Sequence, residues 1–223
     1  MDKVMIIGSG SDSSVTPFDG VIVYSSNSSI SRIDNAYDGQ IVHVASINMF
    51  DKNIIGKTPH LIVRNSSLKN RTPRELFLYP TFNLHDKNNL DFSRLGYNPK
   101  SNHSMGRLNF WKLIYNVVGI SPWLSALRYD DGYVKNLARL FLHIFGRSIG
   151  TRFLPSTGIF SLLLAISRHG NGVTYYLDGI RRDSEDLGKT YYPGMVMEAT
   201  KGHQPFDNLI MTTVKKKYRL VFQ

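Results

Sequence analysis

Residues 152–168 read RFLPSTGIFSLLLAISR. A turn of small residues, Pro155-Ser156-Thr157-Gly158, leads at once into an apolar run from Ile159 to Ile166. Ser156 or Thr157 supplies an N-cap, because either hydroxyl can accept from the backbone N–H groups that a first helical turn leaves unpaired. Gly158 has no Cβ and lets another group come close to the backbone. Such a helix start is also an anion site, since its N–H groups and the positive end of its dipole point outward together. On these residues alone, the plainer reading is a buried helix with an ordinary cap.

Around this helix lie short apolar runs. Lys3 to Ile7 (KVMII) stops at Gly8-Ser9-Gly10-Ser11, Val21 to Tyr24 (VIVY) at Ser25-Ser26-Asn27, and His60 to Val63 (HLIV) at Arg64-Asn65-Ser66-Ser67. Gln40 to Ala45 (QIVHVA) is a further strand. The first loop is not GxGxxG, and it lacks the lysine of a P-loop. Open parallel sheets bind ligands beyond the carboxyl ends of their strands. Small polar residues closing three of these runs are what a nucleotide cleft needs, although each one separately is an ordinary Ser/Asn turn.

Residues 69–106 are polar and weakly periodic, with Leu76 to Leu78 as a candidate strand. In 107–149 two stripes fit helices. One is Leu108, Trp111, Leu113, Ile114, Val117 and Val118; the other is Val134, Leu137, Leu140, Phe141, Ile144 and Phe145. The plain expectation is two core helices with Trp111 and Trp123 packed; a helical lid, an acceptor-binding subdomain or a membrane-facing patch are the alternatives. After the organising helix, Val173 to Leu177 (VTYYL) is a strand ending in Asp178-Gly179-Ile180. Gly202-His203-Gln204-Pro205 then opens a helix to about Lys215, and Tyr218 to Phe222 (YRLVF) is a last strand. Strand alternating with helix predicts an α/β fold with a mainly parallel sheet.

The chain has 223 residues, 42% of them hydrophobic, which suffices for a single domain with a sizeable core. It has no cysteine, so it has no disulfide framework, thiolate metal site or cysteine nucleophile. Met1 to Gly10 reads directly as strand and turn, not as a leader, and no apolar run reaches the roughly 18 residues of a membrane span. The net charge of +10 favours anionic partners such as nucleotides, nucleic acid, acidic glycolipid or a membrane surface.

Taken in order, these segments resemble the sialyltransferase superfamily, in its bacterial and animal-type versions. The resemblance rests on Ile7-Gly8-Ser9-Gly10, Tyr24-Ser25-Ser26-Asn27, Gly56-Lys57-Thr58 and Arg64-Asn65-Ser66-Ser67-Leu68. It continues in Pro155-Ser156-Thr157-Gly158 with its helix, Tyr176-Leu177-Asp178-Gly179-Ile180, Tyr191-Tyr192 and Gly202-His203. The chain departs from the pattern with Ser9 where many relatives carry Asn, and with Asp207 where a glutamate is expected beyond the histidine. It also lacks the cysteines of the animal enzymes, and residues 69–150 match no part of the family pattern.

The resemblance implies one glycosyltransferase domain over 1–223, with a variable insertion or lid at 69–150. The implied fold is α/β: a Rossmann-like, mainly parallel sheet flanked by helices, the GT-A-like variant of sialyltransferases. The implied reaction is inverting transfer of sialic acid or Kdo (3-deoxy-D-manno-octulosonic acid) from its CMP donor to a glycan or glycolipid hydroxyl. His203 is then the general base, since an imidazole titrates near neutral pH. Tyr191 and Tyr192 would donate to the departing CMP phosphate. Ser156, Thr157 and Gly158 would bind the phosphate or the sugar carboxylate. Gly8, Ser9, Gly10, Asn27, Asn65 and Ser66 would hold cytidine, ribose or the donor sugar, with Asp178 and Gly179 at the cytidine edge. There is no Asp-x-Asp motif and no His/Asp cluster with ligand spacing, so the expectation is metal independence with no cofactor beyond the donor. The expected location is cytoplasmic, peripheral to the inner face of the membrane, with Lys215-Lys216-Lys217 toward anionic lipid. The rivals are a basic nucleic-acid-binding module and an inactive sialyltransferase-like protein. No nucleic-acid motif is present, and the basic residues are spread along the chain.

Overall fold

The computed structural model describes residues 3–8, 10, 14–45, 61–64, 102–104, 107–128, 132–144, 153, 155–180 and 204–223. Seven strands form one sheet: β1 (Lys3–Ile7), β2 (Ile22–Ser26), β3 (Ile41–Ala45), β4 (Leu61–Arg64), β5 (Asn102–Ser104), β6 (Thr174–Asp178) and β7 (Arg219–Phe222). Their order is β5-β4-β3-β2-β1-β6-β7, and every neighbouring pair is parallel. The expected α/β fold with a mainly parallel sheet is therefore present. Among the described residues five α-helices accompany it: α1 (Arg107–Val118), α2 (Ser121–Ala126), α3 (Tyr133–Ile144), α4 (Thr157–His169) and α5 (Gln204–Lys217). The sequence reading missed β5 and α2. Both are short: three residues without an apolar run, and six residues opened by Ser121-Pro122. Pro122 costs nothing there, because the first turn leaves its N–H groups unpaired in any case. The candidate strand Leu76 to Leu78 lies outside the described residues.

The chain steps outward from β1 through β2 to β5, then returns to β1's other side for β6 and β7. Right-handed crossovers place connections on opposite faces when the direction of travel reverses. The two cores follow that rule. One face of the sheet buries Val4, Ile6, Tyr24, Val42, Val44, Tyr175 and Leu177 under residues of α1, α2, α4 and α5. The other face buries Met5, Ile7, Val23 and Ile41 with Val15, Ile30 and Ile33, from the segments that join β1 to β2 and β2 to β3.

Helix α4 is the centre of the first core. Every residue from Gly158 to Ile166 is buried, and the helix packs on β1, β2 and β3. Each large apolar side chain so buried contributes about 1.5–3 kcal/mol. Both ends of α4 are tied down. At its start, the Ser156 N–H donates to Asp207 Oδ1 of α5 at 2.9 Å. Past its end, the Tyr175 hydroxyl donates to the Gly170 carbonyl at 2.6 Å, and the Tyr24 hydroxyl lies 3.0 Å from His169 Nε2. Burial pushes the Tyr175 hydroxyl well above the ordinary phenol range, so it stays a donor at any working pH.

The two stripes of 107–149 fare differently. Leu113, Ile114, Val117 and Val118 of α1 are buried, and the rings of Trp111 and Trp123 pack tilted with centroids 5.7 Å apart, as expected of a core helix with packed tryptophans. On α3 the expectation of a core helix holds only in part: Val134, Leu137 and Phe141 are exposed, Leu140 packs against the first core, and among the described side chains of that helix the buried one is Asn136; Phe145 lies outside the described residues. Asn136 Nδ2–H donates to the Leu127 carbonyl at 3.3 Å, which holds the Asn136 flank of the helix, and not the Val134–Phe141 side, against the protein.

Candidate functional site

Direction reverses between β1 and β6, and the carboxyl ends of those two strands are where an open parallel sheet offers its cleft. The two loops there are joined. The Gly8 N–H donates to the Asp178 carbonyl at 2.7 Å and the Gly10 N–H to the Gly179 carbonyl at 2.9 Å, which carries the ladder past the strands. A Cβ on Gly8 would overlap the Gly179 carbonyl, and one on Gly10 would sit 2.6 Å from that oxygen. Gly179 has φ +62, in the left-handed region where a side chain is strained. These glycines are needed by the backbone itself, before any ligand is considered.

Arg32 locks this junction. It ends a 3-10 helix, Asn27–Arg32, that follows β2 directly. Its guanidinium donates to the Gly8 carbonyl at 2.7 Å and forms a partly buried ion pair with Asp178. The Ser26 and Ser29 hydroxyls both donate to the Ile7 carbonyl, at 3.1 and 2.6 Å. The carbonyls of Ile7, the last residue of β1, and of Gly8 after it are thus satisfied by side chains of one short segment. The small polar residues after β2, read in the sequence as a cleft lining, serve the fold in this respect. Ser25 and Ser26 are buried strand residues, and Asn27 opens the 3-10 helix.

The start of α4 reaches the same place. A Cβ on Gly158 would stand 3.7 Å from Ser26 Oγ and 3.7 Å from Ile180 Cγ1, both ordinary contacts. The close approach expected at Gly158 is therefore found at Gly8 and Gly10 instead, where backbone meets backbone. Ser156 is the N-cap, with its hydroxyl accepting from the Ile159 N–H at a long 3.5 Å, and Thr157 is the first helical residue. The positive end of α4 also faces a protein carboxylate, Asp207, through the Ser156 N–H.

Gly8, Gly10, Ser156, Thr157, Gly158, Asp178 and Gly179 thus lie together beyond the carboxyl ends of β1 and β6. Ser9, Asn65, Ser66, Tyr191, Tyr192 and His203 lie outside the described residues, as does Gly56-Lys57-Thr58. Arg32 and the Ser25–His43 pair were missed. Ser25 Oγ lies 2.9 Å from His43 Nδ1, and these residues oppose each other in the β2–β3 ladder. His43 is fully buried, and its Nε2 has no partner among the described residues. Burial lowers its pKa to about 4. For Arg32 a signal existed in the sequence, a lone cation between Ile30 and Ile33 on an otherwise apolar and small stretch. Comparison with protein-family models, with curated proteins and with solved structures finds no match to this chain.

Proposed function

We propose that this chain is an inverting glycosyltransferase that moves sialic acid or Kdo from its CMP donor to a hydroxyl of a glycan or glycolipid. The observation that carries the reading is the convergence of four separate segments at the reversal point of a parallel sheet. They are the glycine loop after β1, Ser26 at the end of β2, Gly158 in the first turn of α4, and Gly179-Ile180 after β6. A single outward run and a single return around β1 support the Rossmann-like, GT-A-like form of the fold.

In this reading the donor lies along that edge, with its phosphate or carboxylate at the start of α4 and cytidine toward Asp178 and Gly179. Arg32 already satisfies the Asp178 carboxylate, so the cytidine edge is offered through backbone groups and through the shape the ion pair sets. The acceptor oxygen attacks the anomeric carbon, His203 takes the hydroxyl proton, and the bond to the CMP phosphate breaks with its electrons leaving on CMP. Tyr191 and Tyr192 donate to that phosphate as charge develops. Helix α5 starts beside this edge, because Asp207 in its first turn holds Ser156, and His203 immediately precedes that helix in sequence.

Calorimetric titration with CMP, UMP and AMP, with and without EDTA, tests the reading. CMP is expected to bind selectively in both conditions, and His203→Ala to abolish transfer from CMP-sialic acid or CMP-Kdo while leaving CMP binding intact. Gly158→Ala has room within the protein, so it is expected to keep stability and weaken CMP binding by crowding the ligand. Failure of CMP to bind, or equal binding of all three nucleotides, overturns the proposal.

A further inference from the structure

Two consecutive carbonyls after β6 point the same way. The Asp178 carbonyl accepts from the Gly8 N–H and the Gly179 carbonyl from the Gly10 N–H, so both face the loop that follows β1. In an extended, pleated strand successive carbonyls alternate between opposite sides. The φ of +62 at Gly179 cancels that alternation. A planar trans peptide sets its N–H opposite its carbonyl. The Gly179 and Ile180 N–H groups therefore both point away from the β1 loop, and neither is bonded to a described residue. Adjacent backbone N–H groups turned to one side form a small concave pair of donors.

Arg32 holds this turn in place. Its guanidinium lies against the Gly179 backbone, where a Cβ would stand 2.7 Å from Nη1. It bonds the Gly8 carbonyl and the Asp178 carboxylate together. Arg32 is itself fixed at its root: its carbonyl accepts from the Val15 N–H at 2.7 Å, and Ile30 and Ile33 beside it are buried. An ion pair taken out of water is often no better for stability than apolar side chains of similar volume, so stability alone does not account for a guanidinium here. What it supplies is direction, because it fixes the Gly8 carbonyl and the Asp178 side chain on either side of the turn. A pair of donors discriminates between pyrimidines. Cytosine presents two neighbouring acceptors, O2 and N3, whereas uracil presents O2 beside an N3–H. Against uracil one backbone N–H meets another donor, and both lose their hydrogen bond. We propose that the Gly179 and Ile180 N–H groups read the O2–N3 edge of cytosine, with Arg32 as the positioning residue that holds them outward. The inference rests on the CMP-donor reading and names how that site selects its base.

The test is nuclear magnetic resonance titration of the isotope-labelled full chain with CMP, UMP and inorganic phosphate, with affinities from calorimetry. The Gly179 and Ile180 amide resonances are expected to move with CMP and to stay in place with inorganic phosphate. Arg32→Met is expected to lose about tenfold of CMP affinity and to leave UMP affinity unchanged, so that the two nucleotides bind alike. Arg32→Lys, which keeps a cation, is expected to recover part of the preference. A merely structural role for Arg32 weakens both nucleotides equally, and an unchanged CMP-to-UMP ratio in folded Arg32→Met overturns the inference. CMP binding that leaves both amide resonances unmoved also overturns it, and this holds even where Arg32→Met does not fold. Resonances that move equally with inorganic phosphate make the pair a general anion site and overturn base reading. Selective CMP binding with any of these results leaves the transferase reading standing; CMP that binds the parent chain no better than UMP removes that reading, and this inference with it.

Discussion

His43 stands at the middle of the sheet with one ring nitrogen beside Ser25 and the other without a partner among the described residues. Whichever tautomer it adopts, it keeps one unsatisfied buried site, and a proton added there would have no countercharge. Burial therefore lowers its pKa to about 4 from the ordinary 6.5. The unfolded chain binds a proton in that interval and the folded chain does not, so stability rises with pH across it. The contribution is complete above about pH 6.5 and is lost as pH falls toward 4. Between pH 7 and pH 5 the chain is expected to lose about 2 kcal/mol of unfolding free energy in urea titrations. His43→Leu is expected to remove most of that difference; an unchanged pH dependence in His43→Leu would place its origin elsewhere. This pair was not legible beforehand, and of the Arg32–Asp178 clamp only the lone cation between Ile30 and Ile33 was. Alternation along one strand tells which face a side chain takes, but not which residue of the next strand lies opposite it. Ser25 meets His43 only because β2 and β3 pair in one particular register.

At the scale of elements, α4 was the most legible part of the chain, since its cap, its apolar run and its length all agreed with one another. What the sequence did not show is what aims it. The cap hydroxyl of Ser156 is 3.5 Å from the N–H it serves, whereas Asp207 reaches the Ser156 N–H at 2.9 Å with a charged acceptor. A charge-assisted bond of that length contributes about 1.5–3 kcal/mol, and a stretched neutral cap about 0.5–1. Asp207→Ala is therefore expected to lower stability more than Ser156→Ala does, by about 1 kcal/mol in paired denaturant melts. Ser156→Ala as the costlier change would show that the hydroxyl, not α5, fixes the start of α4. Asp207 entered the sequence reading as a shortened stand-in for a family glutamate, and its observed contact is with the organising helix. The second apolar stripe shows the opposite limit of legibility. Its spacing predicted helix α3 correctly, yet spacing cannot say which side of a helix faces the protein. In the fold the inward side is the one that carries Asn136, bonded to the Leu127 carbonyl, and Leu140, packed on the first core.

At the scale of the whole molecule, strand order follows from rules that a sequence does not display. The alternation of strands and helices was enough for a mainly parallel α/β sheet, but the reversal at β1 and β6 rests on which edge of β1 received the returning chain. Net charge belongs to this scale too. At +10 the chain attracts polyanions whatever its specific ligand. Its described cations are distributed over β1, the 3-10 helix after β2, β4, α1, the end of α2, α3, the end of α4, the last turn of α5 and β7, with Lys215, Lys216 and Lys217 exposed. A scattered distribution of this kind engages few phosphates at once. A duplex oligonucleotide held by about four phosphate contacts loses affinity roughly a hundredfold between about 50 and 200 mM salt, irrespective of sequence. CMP, carrying one phosphate, loses only a few-fold over the same range. Parallel titrations of both ligands are therefore expected to diverge, with CMP binding persisting at the higher salt after the oligonucleotide has dissociated. Oligonucleotide binding that survives about 200 mM salt and discriminates between sequences would instead mean a built nucleic-acid surface. The basic charge would then be the ligand-binding feature, and the edge between β1 and β6 would be only a well-packed junction.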